Sequence, residues 1–239
     1  MDQTIPQTFA SAVRRDPATP LLTWYDDESG DRTELSGATL DNWVSKTANM
    51  LIDGSGLGHG DTAAVLMPPH WQTAAIVLAA SSAGLAVALG GDPSPADVLF
   101  TSADADTTGW VAPDRYVTGL LPLAMPLREV PAGSVDYVTE VRNFGDYFGG
   151  QPVSQDDLAL AAPVALSHLA VLRNATERAA ELGLTSGDRV LIDAGAYPDV
   201  ADWLFAPLVA GASIVLCANL IPAKVESRAE SEKVTVTLV

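Results

Sequence analysis

Two stretches of this sequence repeat one another. Residues Gly56–Leu89 align without a gap to Gly183–Leu216, at a constant shift of 127 positions from 56 to 183. The identical residues fall at turns and at helix–strand junctions, where backbone geometry accepts the fewest substitutions. A chain with this pattern contains the same supersecondary unit twice. The matching pairs are Gly56-Leu57 with Gly183-Leu184, Gly60-Asp61 with Gly187-Asp188, and Ala83-Gly84 with Ala210-Gly211.

Each copy predicts a helix, a strand, a second helix and a second strand. Apolar residues recur at helical spacing before the Gly-Asp pair, and short apolar runs follow both that pair and the Ala-Gly pair. Two strands joined by a helix form the βαβ unit of a parallel sheet, with right-handed connections. The predicted elements are helices 39–52 and 167–182, strands 63–67 and 189–193, helices 71–83 and 198–210, and strands 85–89 and 212–216.

The repeat predicts an α/β fold, with a mainly parallel sheet flanked by helices and two related halves produced by internal duplication. We expect a single domain over residues 1–239, with the first half at about 1–150 and the second at about 155–239. The elements predicted outside the repeat are a helix at 5–14, a hairpin of strands 21–25 and 32–35, a strand at 97–101, an irregular Pro-rich passage at 113–131, a helix near 135–148 and a half-buried strand within 232–239.

The charge balance limits the partners of the protein. The chain carries 30 acidic and 13 basic side chains, for a formal net charge of −17. That field repels nucleic acid and anionic membranes. The first residues have neither the basic region nor the apolar core of a signal peptide, so we expect a cytoplasmic protein. The uncharged run 73–89 is short for a membrane span, and its second copy carries Asp199 and Asp202.

The reactive residue types form no catalytic or metal-binding pattern in the sequence. The single cysteine, Cys217, lies in an apolar run that predicts a buried strand and an unreactive thiol. The three histidines lack metal-ligand spacing, and no Gly-x-Ser-x-Gly motif is present. The run Gly54–Gly60 follows a helix and precedes a strand, the reverse of a dinucleotide-binding loop. We interpret four acidic residues as a solvated hairpin tip rather than a calcium loop: Asp26, Asp27, Glu28 and Asp31.

Two blocks of the sequence resemble the start of the AMP-forming acyl-CoA synthetase and adenylation-domain superfamily. The first contains LLTWYDDESGDRTELSGATLDNWVSKTANML and GLGHGDTAAVLMPPHWQTAAIVLAASSAGLAVAL, and it resembles that superfamily's opening hairpin, helix and Gly-Asp strand. The second contains VALSHLAVLRNATERAAELGLTSGDRVLI and ADWLFAPLVAGASIVL, and it is similar to the superfamily's next block, around a Ser-His pair. The sequence also resembles a short actinobacterial family of truncated relatives. The resemblance implies the N-terminal fold of such a synthetase.

The departures from the superfamily determine the expected activity. The superfamily has a Thr/Ser/Gly-rich phosphate loop, ending in Pro-Lys-Gly, just before the Ser-His pair. Here residues 157–166 read DLALAAPVAL, without glycine or lysine, so they cannot wrap or neutralise a triphosphate. The superfamily's Tyr-Gly-x-Thr-Glu motif, ribose-binding aspartate and lysine-bearing C-terminal domain have no counterpart in the sequence. We therefore expect no catalytic residue, no cofactor and no metal.

The resemblance implies three candidate ligand-binding residues. Tyr197 lies fourteen positions before Gly211, where the superfamily places an aromatic residue or histidine in the acyl pocket. Taken from the residues alone, Tyr197 is a tyrosine at a strand-to-helix turn. Ser167 and His168 match the Ser-His pair, and the residues alone predict a helix start with Ser167 as its N-cap.

The leading hypothesis is a non-catalytic relative of AMP-dependent acyl-CoA synthetases that binds a partner protein or a small acyl or nucleotide ligand. One alternative is an acyl-CoA- or AMP-ligase-like enzyme that another chain completes with the missing lysine. A second alternative is a structural subunit of a hetero-oligomer. We also expect self-association as a twofold dimer through exposed apolar surface, and no nucleic acid or membrane partner.

Overall fold

The computed structural model describes residues 3–239, and the contacts between them group the chain into two units. The unit boundaries differ from the predicted halves, because each unit combines segments that are separated in the sequence. The number of domains stays a prediction. The first unit contains the residues up to Pro6, Asp41–Pro68 and Gln72–Leu169, and the second contains Gln7–Leu40, Pro69–Trp71 and Ala170–Val239.

Helices and strands alternate through most of the chain. The α-helices are α1 (Ile5–Arg15), α2 (Gly37–Asn49), α3 (Trp71–Ser82), α4 (Tyr137–Val141), α5 (His168–Glu181), α6 (Ala206–Ala210) and α7 (Val225–Ser231). Short π-helical segments follow α2 at Met50–Gly54 and precede α6 at Ala201–Phe205, and 3₁₀ turns lie at Pro122–Ala124 and Pro222–Lys224. The strands are β1 (Pro20–Asp26), β2 (Arg32–Ser36), β3 (Thr62–Leu66), β4 (Ala86–Ala88), β5 (Val98–Ser102), β6 (Asp114–Thr118), β7 (Val135–Asp136), β8 (Leu158–Ala162), β9 (Leu166–Ser167), β10 (Arg189–Asp193), β11 (Ser213–Ala218) and β12 (Val236–Leu238).

The first unit has a seven-stranded sheet in the order β7-β6-β5-β3-β4-β8-β9. Neighbouring strands are parallel, except that β9 runs antiparallel to β8. The central strands β4 and β5 are buried along their whole length, which is typical of parallel strands covered on both faces. Residues 72–81 of α3 are also buried all round, in agreement with their uncharged, alanine-rich sequence.

The second unit has a five-stranded sheet in the order β12-β10-β11-β1-β2. It is parallel except for the antiparallel pair β1–β2. The middle of β11 is buried from Ile214 to Cys217, and it lies between β10 and β1. The predicted α/β fold with mainly parallel sheets and flanking helices is therefore confirmed.

The two βαβ segments have the same strand register. In the first unit Thr62 of β3 pairs with Ala86 of β4. In the second, Arg189 of β10 pairs with Ser213 of β11, and both residues are displaced from their counterparts by the same 127 positions. The parallel pairing expected of each copy is thus observed.

The glycines at the turns of the two segments also correspond. The N–H of Gly60 donates to the carbonyl of Gly84 at 3.2 Å, and the N–H of Gly187 donates to that of Gly211 at 3.1 Å. The φ angles are 95° and 92° for the first glycine of each pair and 81° and 78° for the second. These angles lie in the left-handed region that glycine adopts without steric penalty, which explains why the sequence repeat is strongest at these positions.

Hairpins β1–β2 and β8–β9 hold equivalent places beside the two βαβ segments. Each hairpin begins with a strand parallel to the sheet, turns back antiparallel and leads directly into a helix, α2 or α5. The hairpin of each sheet comes from the sequence half that does not supply its βαβ segment. The corresponding pairs are Leu22 with Ile214 and Leu35 in one sheet, and Leu160 with Val87 and Leu166 in the other.

Two predicted elements in the middle of the chain differ from the structure. The passage 113–131 was predicted to be irregular, but it contains β6, which Pro113 precedes directly and whose first residues are charged. The helix predicted near 135–148 is shortened to α4, which Asp136 caps by accepting a hydrogen bond from the Thr139 N–H at 2.7 Å. Farther along, backbone carbonyls bond to a side chain of α2, since Asn49 donates to the carbonyl of Gly145 at 3.0 Å and to that of Tyr147 at 2.9 Å.

The remaining predicted elements are confirmed within one to three residues at most boundaries. They include α1, the β1–β2 hairpin, β3, β5, β10, β11 and the half-buried β12. Within residues 3–239, no helix combines the length and apolar character needed to cross a lipid bilayer.

Candidate functional site

The hairpin β8–β9 occupies the position where the resemblance expects a phosphate loop. Only three residues, Pro163, Val164 and Ala165, connect its two strands, and all three are exposed. None carries a polar side-chain atom, and proline also lacks a backbone N–H. The predicted absence of glycine and lysine thus corresponds to a short turn between paired strands.

Asp157 lies at the base of this hairpin, and its carboxylate is bonded to two other residues. Its Oδ2 accepts hydrogen bonds from the Ser154 N–H at 2.7 Å and pairs with Nε2 of His59 at 2.8 Å. These two contacts, the Ser154 bond first, hold the pKa of Asp157 below its ordinary value. The base of the hairpin therefore keeps a carboxylate, which repels rather than attracts a phosphate.

His168 begins α5 and is buried, with 1% of its surface exposed. Its imidazole Nδ1 accepts a hydrogen bond from the backbone N–H of Ile5 at 3.3 Å. The backbone N–H of His168 donates to the Asp157 carbonyl at 3.1 Å. Burial lowers the pKa of His168 to about 4, against the opposing charge of Asp157. His168 is therefore neutral at pH 7 and contacts the first residue of α1. Ser167 beside it is half-buried and pairs with Leu158 in the sheet.

Tyr197 belongs to the second unit, whereas Ser167 and His168 belong to the first. It is half-buried and lies between β10 and the π-helical segment before α6, the strand-to-helix turn predicted from the sequence. Its N–H donates to the carbonyl of Asp193 at 2.9 Å. Ligands of open α/β sheets bind outside the carboxyl ends of the strands, which is the end where Tyr197 lies.

Asp27 corrects the interpretation of the first hairpin tip as solvated. Its carboxylate is buried and accepts hydrogen bonds from Arg228 at 2.5 Å, from the Ile221 N–H at 2.8 Å and from Lys224 at 3.1 Å. Burial alone raises the pKa of Asp27, but these bonds outweigh it and lower the pKa to about 2. Arg228 also lies over the ring of Tyr25, 4.1 Å from its centroid. This tip is therefore anchored to α7 by a buried ion pair.

Cys217 is fully buried in β11, as predicted. Burial raises the pKa of its thiol to about 11, although Arg228 Nη1 lies 3.4 Å from the sulfur and favours the thiolate. A thiol with this pKa stays protonated at pH 7 and is a poor nucleophile.

Metal-binding geometry is also missing from the part of the chain that the structure describes. No three His, Cys, Asp or Glu side chains among residues 3–239 are arranged to hold a metal ion. His70, for example, is buried with its ring 4.4 Å from that of Trp24, and burial lowers its pKa to about 3.

The second unit contains a cavity of about 570 Å³ at the amino ends of β10, β11 and β1. Arg189 and Glu232 lie in its wall and pair with each other at 2.5 Å. Arg189 also donates to the Glu232 carbonyl and to Thr23 Oγ1. The charges of the pair are therefore satisfied within the protein, and the cavity lies at the strand ends opposite to those that bind ligands in such sheets.

Comparison with known proteins agrees with this architecture. The sequence profile of the family described as AMP-binding enzyme matches residues 9–140, more than half of the chain. A Mycobacterium tuberculosis protein described as a TIGR03089 family protein is 41% identical over 246 residues, and the alignment covers 97% of this chain and 98% of that protein. The chain belongs to the AMP-binding enzyme family.

Two larger proteins align with this chain over only part of their own length. Acetyl-coenzyme A synthetase of Streptomyces coelicolor is 36% identical over 140 residues, which is 56% of this chain and 20% of that protein. The crystal structure of Brucella canis acyl-CoA synthetase shares the fold over 99% of this chain, with a TM-score of 0.73 and 18% identity. This chain spans 47% of that structure.

Sequence reasoning missed two long-range polar contacts, one in each unit. Asp27 and Arg228 are 201 positions apart, and Ile5 and His168 are 163 apart. The local periodicity of a sequence does not reveal contacts between residues so far apart. The available signals were an arginine in the mostly polar helix α7 and a histidine next to an apolar helix face, and neither specifies a partner.

Proposed function

We propose that this AMP-binding family protein does not form adenylates and acts as a binding protein for a partner protein or a small acyl or nucleotide ligand. The observation that carries the proposal is the three-residue turn at Pro163, Val164 and Ala165, in the place of a phosphate loop.

Triphosphate binding requires groups that this turn lacks. A triphosphate is held by backbone N–H donors, by a lysine and by a metal ion that bridges its oxygens. The turn offers at most two N–H groups, because Pro163 has none, and it carries no cation. Asp157 adds a negative charge at the base of the hairpin, and the net charge of −17 opposes the approach of any polyanion.

Within this proposal, Tyr197 is the residue we assign to contact with an acyl ligand. It is half-buried at the carboxyl end of β10, and an aromatic ring offers a large apolar contact area there. We propose that His168 and Ser167 position the start of α5 instead, because His168 is buried and accepts a hydrogen bond from Ile5.

Two assays test the absence of adenylation. Ligand at a hundred times its dissociation constant adds about 2.7 kcal/mol of stability, which raises the melting temperature of a protein of this size by roughly 5–10 °C. We expect no shift with millimolar MgATP and no pyrophosphate exchange with fatty or aromatic acids, while a full-length family member in the same assays responds to both. A shift without exchange would establish nucleotide binding as the function. Exchange that survives purification to homogeneity would overturn the non-catalytic proposal.

The ligand assignment has its own test. Decanoate and benzoate serve as probes of the acyl site, and melting temperature is measured for the wild type and for Tyr197→Ala. We expect one probe to stabilise the wild type and to lose most of its effect in the variant, with Tyr147→Ala, an exposed tyrosine, as the matched control. Equal shifts in wild type and Tyr197→Ala would remove Tyr197 from the site.

We further propose that the two halves arose by internal duplication and that the protein works in the cytoplasm. The shared register, the paired glycine angles and the equivalent hairpins support the duplication. The acidic composition, which favours solubility, supports the location.

A further inference from the structure

The connection from β6 to β7 exposes apolar side chains at a sharply bent loop. Residues 119–127, with the sequence GLLPLAMPL, are here called the apolar loop. Leu123 is 82% exposed and Met125 is 48% exposed, while Ala124 between them is buried. Val135, at the start of the edge strand β7, is exposed as well. Exposed aliphatic side chains grouped in this way mark interaction surfaces more often than single ones do.

The apolar loop is held in a fixed shape. Arg142 Nη2 donates to the carbonyl of Ala124 at 2.7 Å, and the N–H of Leu127 donates to Asp136 Oδ2 at 2.9 Å. Three residues of the loop that are not glycine have left-handed backbone angles, with φ of 53° at Leu120, 54° at Leu123 and 50° at Ala124. Such angles persist only where surrounding contacts impose them, and they cluster at functional surfaces. Leu123 is thus presented outward by a preorganised backbone.

The apolar loop also lies in the longest stretch without an acidic residue between residues 90 and 155. No aspartate or glutamate occurs from Arg115 to Arg128, although the chain has 30 of them in 239 residues. Two copies of a protein with a net charge of −17 repel each other over most orientations. The repulsion is smallest where the facing surfaces carry apolar side chains and no carboxylate.

We propose that this surface is the contact between two copies of the chain, with the apolar loops facing each other across a twofold axis. A twofold contact uses the same patch on both copies, and an uncharged apolar patch is complementary to itself. A lipid surface is a poorer occupant, since anionic headgroups are repelled by the acidic chain. The proposal is independent of whether the protein binds a nucleotide.

The test is the oligomeric state of the whole protein and of Leu123→Asn. Asparagine adopts the left-handed region more readily than leucine, so this substitution removes the apolar contact without straining the loop. Val164→Asn is the matched control, because Val164 is an aliphatic residue, 61% exposed, on the β8–β9 turn. Sedimentation velocity from low to hundreds of micromolar gives the dissociation constant of each.

We expect the wild-type protein to form a dimer with a dissociation constant in the tens of micromolar. Leu123→Asn should raise this constant about tenfold or more, and Val164→Asn should leave it unchanged. The melting temperature of the Leu123→Asn monomer should equal or exceed that of the wild-type monomer. A protein that stays monomeric at hundreds of micromolar overturns the proposal. A dimer that Leu123→Asn leaves intact, or that Val164→Asn weakens equally, also overturns it, since the contact then lies elsewhere.

Discussion

The hairpins β1–β2 and β8–β9 hold the same place in their two sheets but differ at their tips. The first ends in an acidic turn whose Asp27 is buried and bonded to Arg228 and Lys224 of the second unit. The second ends in three exposed residues without a polar side-chain atom. The arrangement of the strands is therefore set by their register and by the paired glycine turns, while the hairpin tips differ in sequence and in contacts. One tip anchors a helix, and the other has neither a glycine nor a lysine.

The largest expected effect comes from removing the anchor at the first tip. Asp27→Ala leaves the Arg228 guanidinium buried without its carboxylate, and breaking such a pair destabilises by about 3–5 kcal/mol. Urea unfolding measures the loss. Glu28→Ala at the same tip is the control, since Glu28 is exposed and should change the free energy of unfolding by at most about 0.5 kcal/mol. Equal losses in both variants would show that the buried ion pair does not anchor this tip.

The second effect tests whether the glycine turns are equivalent. Gly84→Ala and Gly211→Ala should each cost about 2 kcal/mol, because both residues have left-handed angles. A Cβ at Gly84 would lie 3.2 Å from the His59 backbone, whereas one at Gly211 would overlap the Arg15 guanidinium, which donates to the Gly211 carbonyl.

A double-mutant cycle separates these two causes. In an Arg15→Ala background, Gly211→Ala should lose about 1 kcal/mol less than in the wild type, while the loss from Gly84→Ala should stay the same. The free energies come from thermal and urea unfolding. A cycle with no coupling at Gly211 would show that only the backbone angle matters.

The third effect is acid destabilisation of the second unit. The pKa values of Asp27 and Glu232 are both about 2. For each, burial raises the pKa, and the hydrogen bonds received, chiefly from Arg228 at Asp27 and from Tyr25 and Arg189 at Glu232, lower it further than burial raises it. The unfolded chain therefore binds more protons, so the stability they supply is complete above about pH 4.5 and lost as the pH falls to 2.

The pH profile checks this sign. We expect the free energy of unfolding to fall by about 2 kcal/mol for each carboxylate between pH 5 and pH 2, as measured by urea unfolding. Glu232→Gln should flatten that slope while lowering the stability at pH 7. If the substitution left the pH dependence of the free energy of unfolding unchanged, other carboxylates would be responsible for the acid sensitivity.

The smallest effect is expected at the second tip. Val164→Lys places a cation on the β8–β9 turn, where the side chain is exposed and has no buried neighbour to lose, so the free energy of unfolding should change by about 0.5 kcal/mol or less. Thermal unfolding measures it. A loss as large as that of Asp27→Ala would show that this turn is structurally constrained, contrary to the contrast between the tips.

The sequence predicted the parts of the fold that local pattern controls. The βαβ repeat was readable because glycine turns and apolar strands recur at a fixed shift, and the missing phosphate loop was readable because glycine and lysine are absent from residues 157–166. β6 was missed because Pro113 and a charged start conceal a five-residue strand. The burial of Asp27 was missed because its partner Arg228 is distant in sequence, and long-range pairing leaves no local signal.

The exchange of hairpins between the two sheets has a consequence for how the protein is made. β8 joins β4 across 73 positions, from Val87 to Leu160, whereas β1 joins β11 across 192, from Leu22 to Ile214. During synthesis the first sheet can close while the ribosome is still translating the second βαβ segment. The β1–β2 hairpin precedes β11 in the chain and cannot pair with it until the second βαβ segment has been made. Until β11 appears, one edge of β1 stays open, and an open strand edge can pair with another chain.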